Sequence, residues 1–166
     1  MQSLLMQITS MEFLMSKATL HPAIPDDARE CLRIRALTRE NAFSEQELAA
    51  LGITEQSWRA GIGDGSCPGY IARVDGQMAG YCFADRESRE IMVLALLPRH
   101  ENQGLGRMLL TQMVKDMHHS GFKRLFLACN SDSKVRSYGF YRHLGWKETG
   151  QRDDHGDDIL EYRLDQ

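Results

Sequence analysis

Ile91-Met-Val-Leu-Ala-Leu-Leu-Pro98-Arg-His-Glu-Asn-Gln-Gly104-Leu-Gly106-Arg-Met108 decides how this chain is read. Its first part, Ile91 to Leu97, is an unbroken apolar run of strand length. Its second part opens another period: Leu105, Met108, Leu109, Met113 and Met117 recur at helical spacing, and Gly121 supplies a stop. Strand, glycine-bearing turn and helix, in that order, lay out an anion site. Gly104 and Gly106 have no side chains, so the backbone N–H groups of residues 103 to 107 can approach a ligand closely. The first N–H groups of a helix lack partners within it and lie at its positive end, which suits a phosphate.

Outward from this stretch, strand and helix signals alternate. Lys17 to Leu20 is a candidate strand. Pro25-Asp26-Asp27 opens a helix reaching about Thr38, with Ala28, Cys31, Leu32, Arg35 and Ala36 on one face. Ser44-Glu-Gln-Glu47 is a capping box for a helix that Gly52 ends, and Thr54 caps another turn through Trp58 and Ala60. Gly61 to Gly69 reads as a loop. Tyr70–Val74 and Met78–Ala84 are strands joined by the Asp75-Gly76 hairpin signal. After the central strand and helix come a strand at Arg124–Ala128, a helix over 134–144, and strands over 146–149 and 159–163 around an acidic turn. This order predicts an α/β (mixed α+β) fold, a mixed sheet with helices on its faces. At 166 residues the chain has the length of one domain.

Composition narrows the function. A net charge of −3 leaves no dominant basic face, against a general nucleic-acid binder. Cys31, Cys67, Cys82 and Cys129 show no CxxC spacing, which fits buried thiols in a reducing cytoplasm better than disulfides or a metal site. His118 and His119 are adjacent and diverge on a helix, so no metal is expected there. Met1 to Met15 is apolar in patches but has neither a basic leader nor an unbroken apolar core, so no signal peptide or membrane span is expected. Met11 or Met15 is a candidate start, and residues 1–16 a candidate extension outside the domain.

The glycine turn has three candidate readings. A dinucleotide fingerprint needs a third glycine where Leu109 stands, and a Walker loop needs Gly-Lys-Ser/Thr where Gly106-Arg107-Met108 stands. The third is the acyl-CoA pyrophosphate loop of the GNAT acetyltransferases, Gln/Arg-x-x-Gly-x-Gly/Ala at a helix start. Glu101-Asn102-Gln103-Gly104-Leu105-Gly106, with Pro98 before it, resembles that signature apart from Glu101. A carboxylate facing a pyrophosphate is unfavourable, so Glu101 is expected to point away. A second block, Ser137-Tyr-Gly-Phe140-Tyr141-Arg-His-Leu-Gly145-Trp146, resembles the family's Ala-x-x-Phe-Tyr helix ending in Leu-Gly-Phe. The likeness spans about residues 21 to 164 and implies the GNAT acyl-CoA N-acyltransferase fold, with six to seven strands.

What the resemblance implies is an acetyl-CoA-dependent N-acetyltransferase. Acetyl-CoA would lie along Asn102, Gln103, Gly104, Leu105, Gly106 and Arg107. Its thioester would reach the strand end at Leu96 and Leu97, with the Leu96 N–H free for the thioester carbonyl. Asn130 would touch the pantetheine arm. Glu90 aligns, without a gap, with the general-base glutamate of the family's histone acetyltransferases; Glu87 and a low pKa of the acceptor amine itself are its rivals, and otherwise Glu90 is a solvated strand-end carboxylate. Tyr141 matches the tyrosine that protonates the departing thiolate, for which a phenol of pKa about 10 is suited; otherwise it is a core aromatic.

The acceptor is left open. The acids of Asp153-Asp-His-Gly-Asp-Asp158 would draw in a cationic amine, whereas Arg35 and Arg39 would greet a carboxylate. A small-molecule amine is the first expectation, a peptide N-terminus the second, and a non-catalytic acyl-CoA sensor the third. Many relatives dimerise, so a homodimer is compatible with the resemblance.

Overall fold

The computed structural model of the chain describes residues 18–40 and 42–165. The expectations for residues 1–16, and the strand start at Lys17, lie outside the described residues.

Strand β1 (Ala18–Pro22) leads through a 3-10 turn at Pro25–Asp27 into helix α1 (Ala28–Arg35). Proline presets φ for that turn, and the Asp27 carboxylate accepts the Ile24 N–H at 2.9 Å. The helix stops short of Thr38 because the Thr38 hydroxyl and the Phe43 N–H both bond to the Arg35 carbonyl, turning the chain outward. Ile34 joins Ala28, Cys31 and Leu32 in the core, while Ala36 is exposed. The Ser44–Glu47 capping box closes at 3.1 and 2.7 Å and starts α2 (Glu45–Ala50). Thr54 and Ser57 cap α3 (Glu55–Asp64) in the same way.

That third helix corrects the sequence reading, because it runs through Gly61 and Gly63, which were expected in a loop. A Cβ on Gly61 would lie 3.1 Å from the Cys67 Cβ, so the glycine lets the following segment fold back on the helix. Here a tertiary contact outweighs intrinsic propensity.

Strands β2 (Gly69–Val74) and β3 (Gln77–Asp85) form the expected hairpin, with Asp75 and Gly76 at φ +52° and +79°. Strand β4 (Glu90–Leu96), helix α4 (Leu105–His119) and strand β5 (Arg124–Cys129) follow. Helix α5 (Arg136–His143) starts later than the predicted residue 134, and strands β6 (Lys147–Arg152) and β7 (Asp158–Arg163) close the fold. The seven strands form one mixed sheet ordered β1-β2-β3-β4-β5-β7-β6, in which β4 and β5 are the parallel neighbours.

Period-2 alternation on β3 divides the core into two layers. Cys82 and Ala84 face α4, whose Leu109, Leu110, Met113 and Met117 are buried against Ile91, Leu127 and Leu160. Tyr81 and Phe83 face the other way, toward Cys31 and Ile34 of α1 and Trp58 of α3. Each large side chain so buried contributes roughly 1.5–3 kcal/mol relative to exposure.

Gly80 brings β3 and β4 together at Leu96; a Cβ there would stand 2.4 Å from the Ala95 carbonyl oxygen. Backbone cannot yield as a side-chain tip can. Gly80→Ala is therefore expected to cost about 1–3 kcal/mol of stability, read from the denaturation midpoint.

Candidate active site

The cleft begins where the sheet fails to close. Strands β4 and β5 are in register at Glu90 and Phe126 alone, with the Phe126 N–H bonded to the Arg89 carbonyl at 3.0 Å. Beyond that point they diverge. On its other side β4 pairs Val93 with Phe83 and then Ile91 with Ala84, leaving Met92 as the extra residue of a bulge. Bulges bend a strand and sharpen its twist. The Leu97 N–H bonds to the Ala79 carbonyl in β3. Successive N–H groups along a strand point to opposite edges, so those of Leu96 and Leu94 face the gap.

The gap opens into a cleft of about 270 Å³ that meets the start of α4 and the inner side of α5. Asn102 and Gly104, at φ +61° and +82°, turn the chain so that the N-terminal amides of α4 face the cleft. Asparagine tolerates this left-handed backbone and glycine adopts it freely. The Met108 N–H bonds to the Gly104 carbonyl at 3.1 Å, so the amides before it lie ahead of the helical ladder. Gly106 lets α4 sit close against β4, since a Cβ would meet Leu96 Cδ1 at 3.2 Å.

Glu101, at the rim, does not simply turn out to solvent. Its carboxylate lies 3.0 Å from both Arg39 and Arg136, and its side chain is only 14% exposed. Glu40 accepts the Arg136 backbone N–H at 3.1 Å. The segment after α1, the glycine turn and the start of α5 are thus joined by one ionic cluster. One feature of the wall is unsatisfied: the Ser137 hydroxyl is buried without a hydrogen-bond partner among the described residues. Such orphans are few in folded proteins and mark a place for a missing partner.

Residues 28–146 match the acetyltransferase (GNAT) family. This chain belongs to the GNAT acetyltransferases. It is an N-acetyltransferase with acetyl-CoA as donor. The GNAT chain is similar in fold to a PaiA N-acetyltransferase from Thermoplasma acidophilum solved with coenzyme A. Identity is 17% over 89% of this chain and 99% of that one, with a TM-score of 0.75. YncA from Salmonella typhimurium, solved with its cofactor acetyl-CoA, matches at 18% identity over 90% and 95%, TM-score 0.66. The ribosomal-protein-S18-alanine N-acetyltransferase of Escherichia coli matches at 19% over 87% and 90%, TM-score 0.64.

The cleft of this GNAT chain brings together Leu96, Asn102, Gly104, Leu105, Gly106, Arg107, Asn130 and Tyr141 from the sequence-derived set. Tyr141 packs edge-on to Phe140 and Trp146, and burial pushes its phenol pKa above the ordinary value. The Asn130 side-chain Oδ1 accepts the Asp132 N–H at 2.9 Å. Three of the set, Glu90, Leu97 and Gln103, do not line the cleft. Leu97 is buried in the core layer opposite α4, and its amide belongs to the β3–β4 ladder. Gln103 is exposed and its side chain returns to the Arg99 carbonyl.

Glu90 stands at the closed end of the gap, one residue before the cleft wall begins at Ile91. Burial, then Asp85 and Asp153, push its carboxyl pKa up. Asp157 from the β6–β7 hairpin reaches the cleft wall, and burial with Asp153 pushes its pKa up as well. Sequence reasoning treated Asp157 as one acid among several; only the curl of the hairpin singles it out. Among the described residues no group of three or more His, Cys, Asp or Glu could hold a metal, and no helix is long and apolar enough to cross a membrane.

Proposed function

We propose that this enzyme acetylates the primary amine of a small molecule by direct attack within a ternary complex. The observation that carries the reading is the gap between β4 and β5, whose free strand-edge amides open beside the glycine turn of α4. The turn's amides bind the CoA pyrophosphate. The Leu96 N–H, with Leu94 alongside, holds the thioester carbonyl and stabilises the oxyanion. Ser137 hydrogen-bonds the pantetheine arm near Asn130. The amine nitrogen attacks the thioester carbon, the C–S bond breaks, and Tyr141 donates its proton to the leaving thiolate. The amine's proton passes to Asp157 directly, or through water to Glu90. Four free cysteines support a reducing cytoplasmic setting.

Calorimetric titration with CoA, beside thiol release from acetyl-CoA across amines, amino acids and short peptides, tests this. Turnover of free amines supports the reading. Preference for peptides would move the acceptor to a protein N-terminus, and CoA binding without turnover would favour a sensor. No CoA binding would overturn it.

Ser137→Ala removes an orphaned hydroxyl, so the free protein should unfold no more easily, while CoA affinity falls about 3- to 10-fold, as a lost hydrogen bond of roughly 1 kcal/mol requires. For the base, a carboxylate works only when ionised, and raised pKa values shift the acidic limb upward. The kcat/KM profile should therefore rise with pH from above the ordinary carboxylate range of about 4. Asp157→Asn should flatten that limb if contact is direct, and Glu90→Gln if a water relays the proton.

A further inference from the structure

A second cavity adjoins the reaction cleft on the opposite face of the sheet, and its chemistry narrows the acceptor. It encloses about 250 Å³ between α2, α3 and strands β3 and β4. Its walls are Phe43, Leu48, Leu51, Ile53, Trp58 and Phe83, and it shares Arg35, Met92 and Val93 with the cleft. The shared residues include the β4 bulge, where the strand bends away from β5. A molecule seated in the cavity thus extends past Met92 toward the thioester end of the gap.

The lining is chemically one-sided. Trp58 stands edge-on to Tyr81 and Phe83 at 5.6 and 5.2 Å, which fixes its ring as an aromatic wall. Arg35 lies over the Phe43 ring at 4.9 Å. Of the neutral polar groups here, the Ser57 hydroxyl already serves the Gly52 and Thr54 carbonyls and the Thr54 N–H, and the Cys67 thiol accepts the Ser66 hydroxyl at 3.9 Å. No carboxylate lines the cavity among the described residues. A second ammonium entering it would be desolvated beside the Arg35 guanidinium, with no carboxylate among the described lining residues to meet it, which is strongly unfavourable. An uncharged ring meets none of that cost. An apolar cavity of about 150 Å³ already holds benzene, so this one accommodates a bicyclic ring or a branched alkyl chain.

We infer that the acceptor is a primary amine carried on a large apolar, preferably aromatic, body that sits in this cavity while the amine reaches the cleft. The inference rests on the acetyltransferase reading above and names its substrate class. Polyamines and aminoglycosides, which carry several cations, are disfavoured. The same chemistry is presented by a free arylalkylamine and by a peptide whose first residue is phenylalanine or leucine.

The test compares 2-phenylethylamine, tryptamine and hexylamine with putrescine and spermidine, and peptides beginning with Phe with those beginning with Asp. Apolar amines should exceed polyamines in kcat/KM by a hundredfold or more; the free amines against the Phe peptides then decide the source. Leu51 is 62% exposed at the cavity wall, so Leu51→Asp leaves the core intact. It should raise KM for the apolar amine at least tenfold without moving CoA affinity. Titration of tryptophan fluorescence with 2-phenylethylamine, without acetyl-CoA, reads occupancy independently of the donor. Polyamines as the best acceptors, or an unchanged KM in Leu51→Asp, would overturn the inference. CoA binding without apolar-amine turnover or a fluorescence change would overturn it and leave the cofactor reading standing. A fluorescence change without CoA binding would do the reverse.

Discussion

Gly104→Val is expected to weaken CoA binding by at least about 100-fold, the loss of roughly 3 kcal/mol, while leaving the fold in place. Gly104 sits at φ +82°, and a Cβ built on it meets nothing within 4 Å, so the folded protein itself does not exclude a side chain there. Two effects then act. A β-branched residue is strained in the left-handed region, by about 1–2 kcal/mol, and the turn distorts to relieve it. Its methyl groups also occupy the space that a phosphate needs in order to reach the amides ahead of the α4 ladder. Gly121 separates strain from blockage. It lies at φ +92°, also has open space around it, and stands at the far end of the same helix. Gly121→Val should lower the melting temperature comparably and leave CoA binding unchanged. Calorimetry and thermal unfolding on the two variants give the answer, and equal CoA affinity in both would remove the turn from the cofactor site.

Tyr141→Phe should lower kcat by about one to three orders of magnitude with acetyl-CoA affinity nearly unchanged. Phenylalanine retains the edge-on contacts to Phe140 and Trp146, so the substitution deletes one hydroxyl and little packing. Burial raises the phenol pKa, which keeps the proton on the oxygen throughout the working range. The sign matters for the profile: an acid with a raised pKa stays competent as pH rises. Wild-type turnover should therefore not fall through Tyr141 ionisation below about pH 10. Loss of kcat, together with a dependence on the thiol leaving group that wild type lacks, would mark Tyr141 as the proton donor. An unchanged kcat would return it to the role of a core aromatic.

The site was legible in unequal parts. The glycine turn could be read because its chemistry is local: positive φ, absent side chains and free helix amides depend on consecutive residues. The helix carrying Phe140 and Tyr141 was legible for the same reason. Strand alternation sends the Leu97 amide into the β3–β4 ladder, which leaves Leu96 facing the gap, and the Gln103 side chain folds back on the Arg99 carbonyl, so that only its backbone amide is offered to the turn. Glu101 shows the limit of reading a residue alone. Its partners, Arg39 and Arg136, lie 62 and 35 positions away.

By itself the sequence determined the succession of strands and helices, the capping boxes at Ser44 and Thr54, the tight hairpin at Asp75-Gly76, and the glycine turn that opens α4. All of these follow from hydrophobic period, turn chemistry and helix-end bonding within a few residues. Tertiary structure alone decided that β4 and β5 part after one register position, that Asp157 reaches the cleft wall, and that an apolar cavity lies against the Met92 bulge. These depend on how far neighbouring strands diverge and on which distant segments fill the space between them. Such long-range packing leaves no periodic trace in the chain.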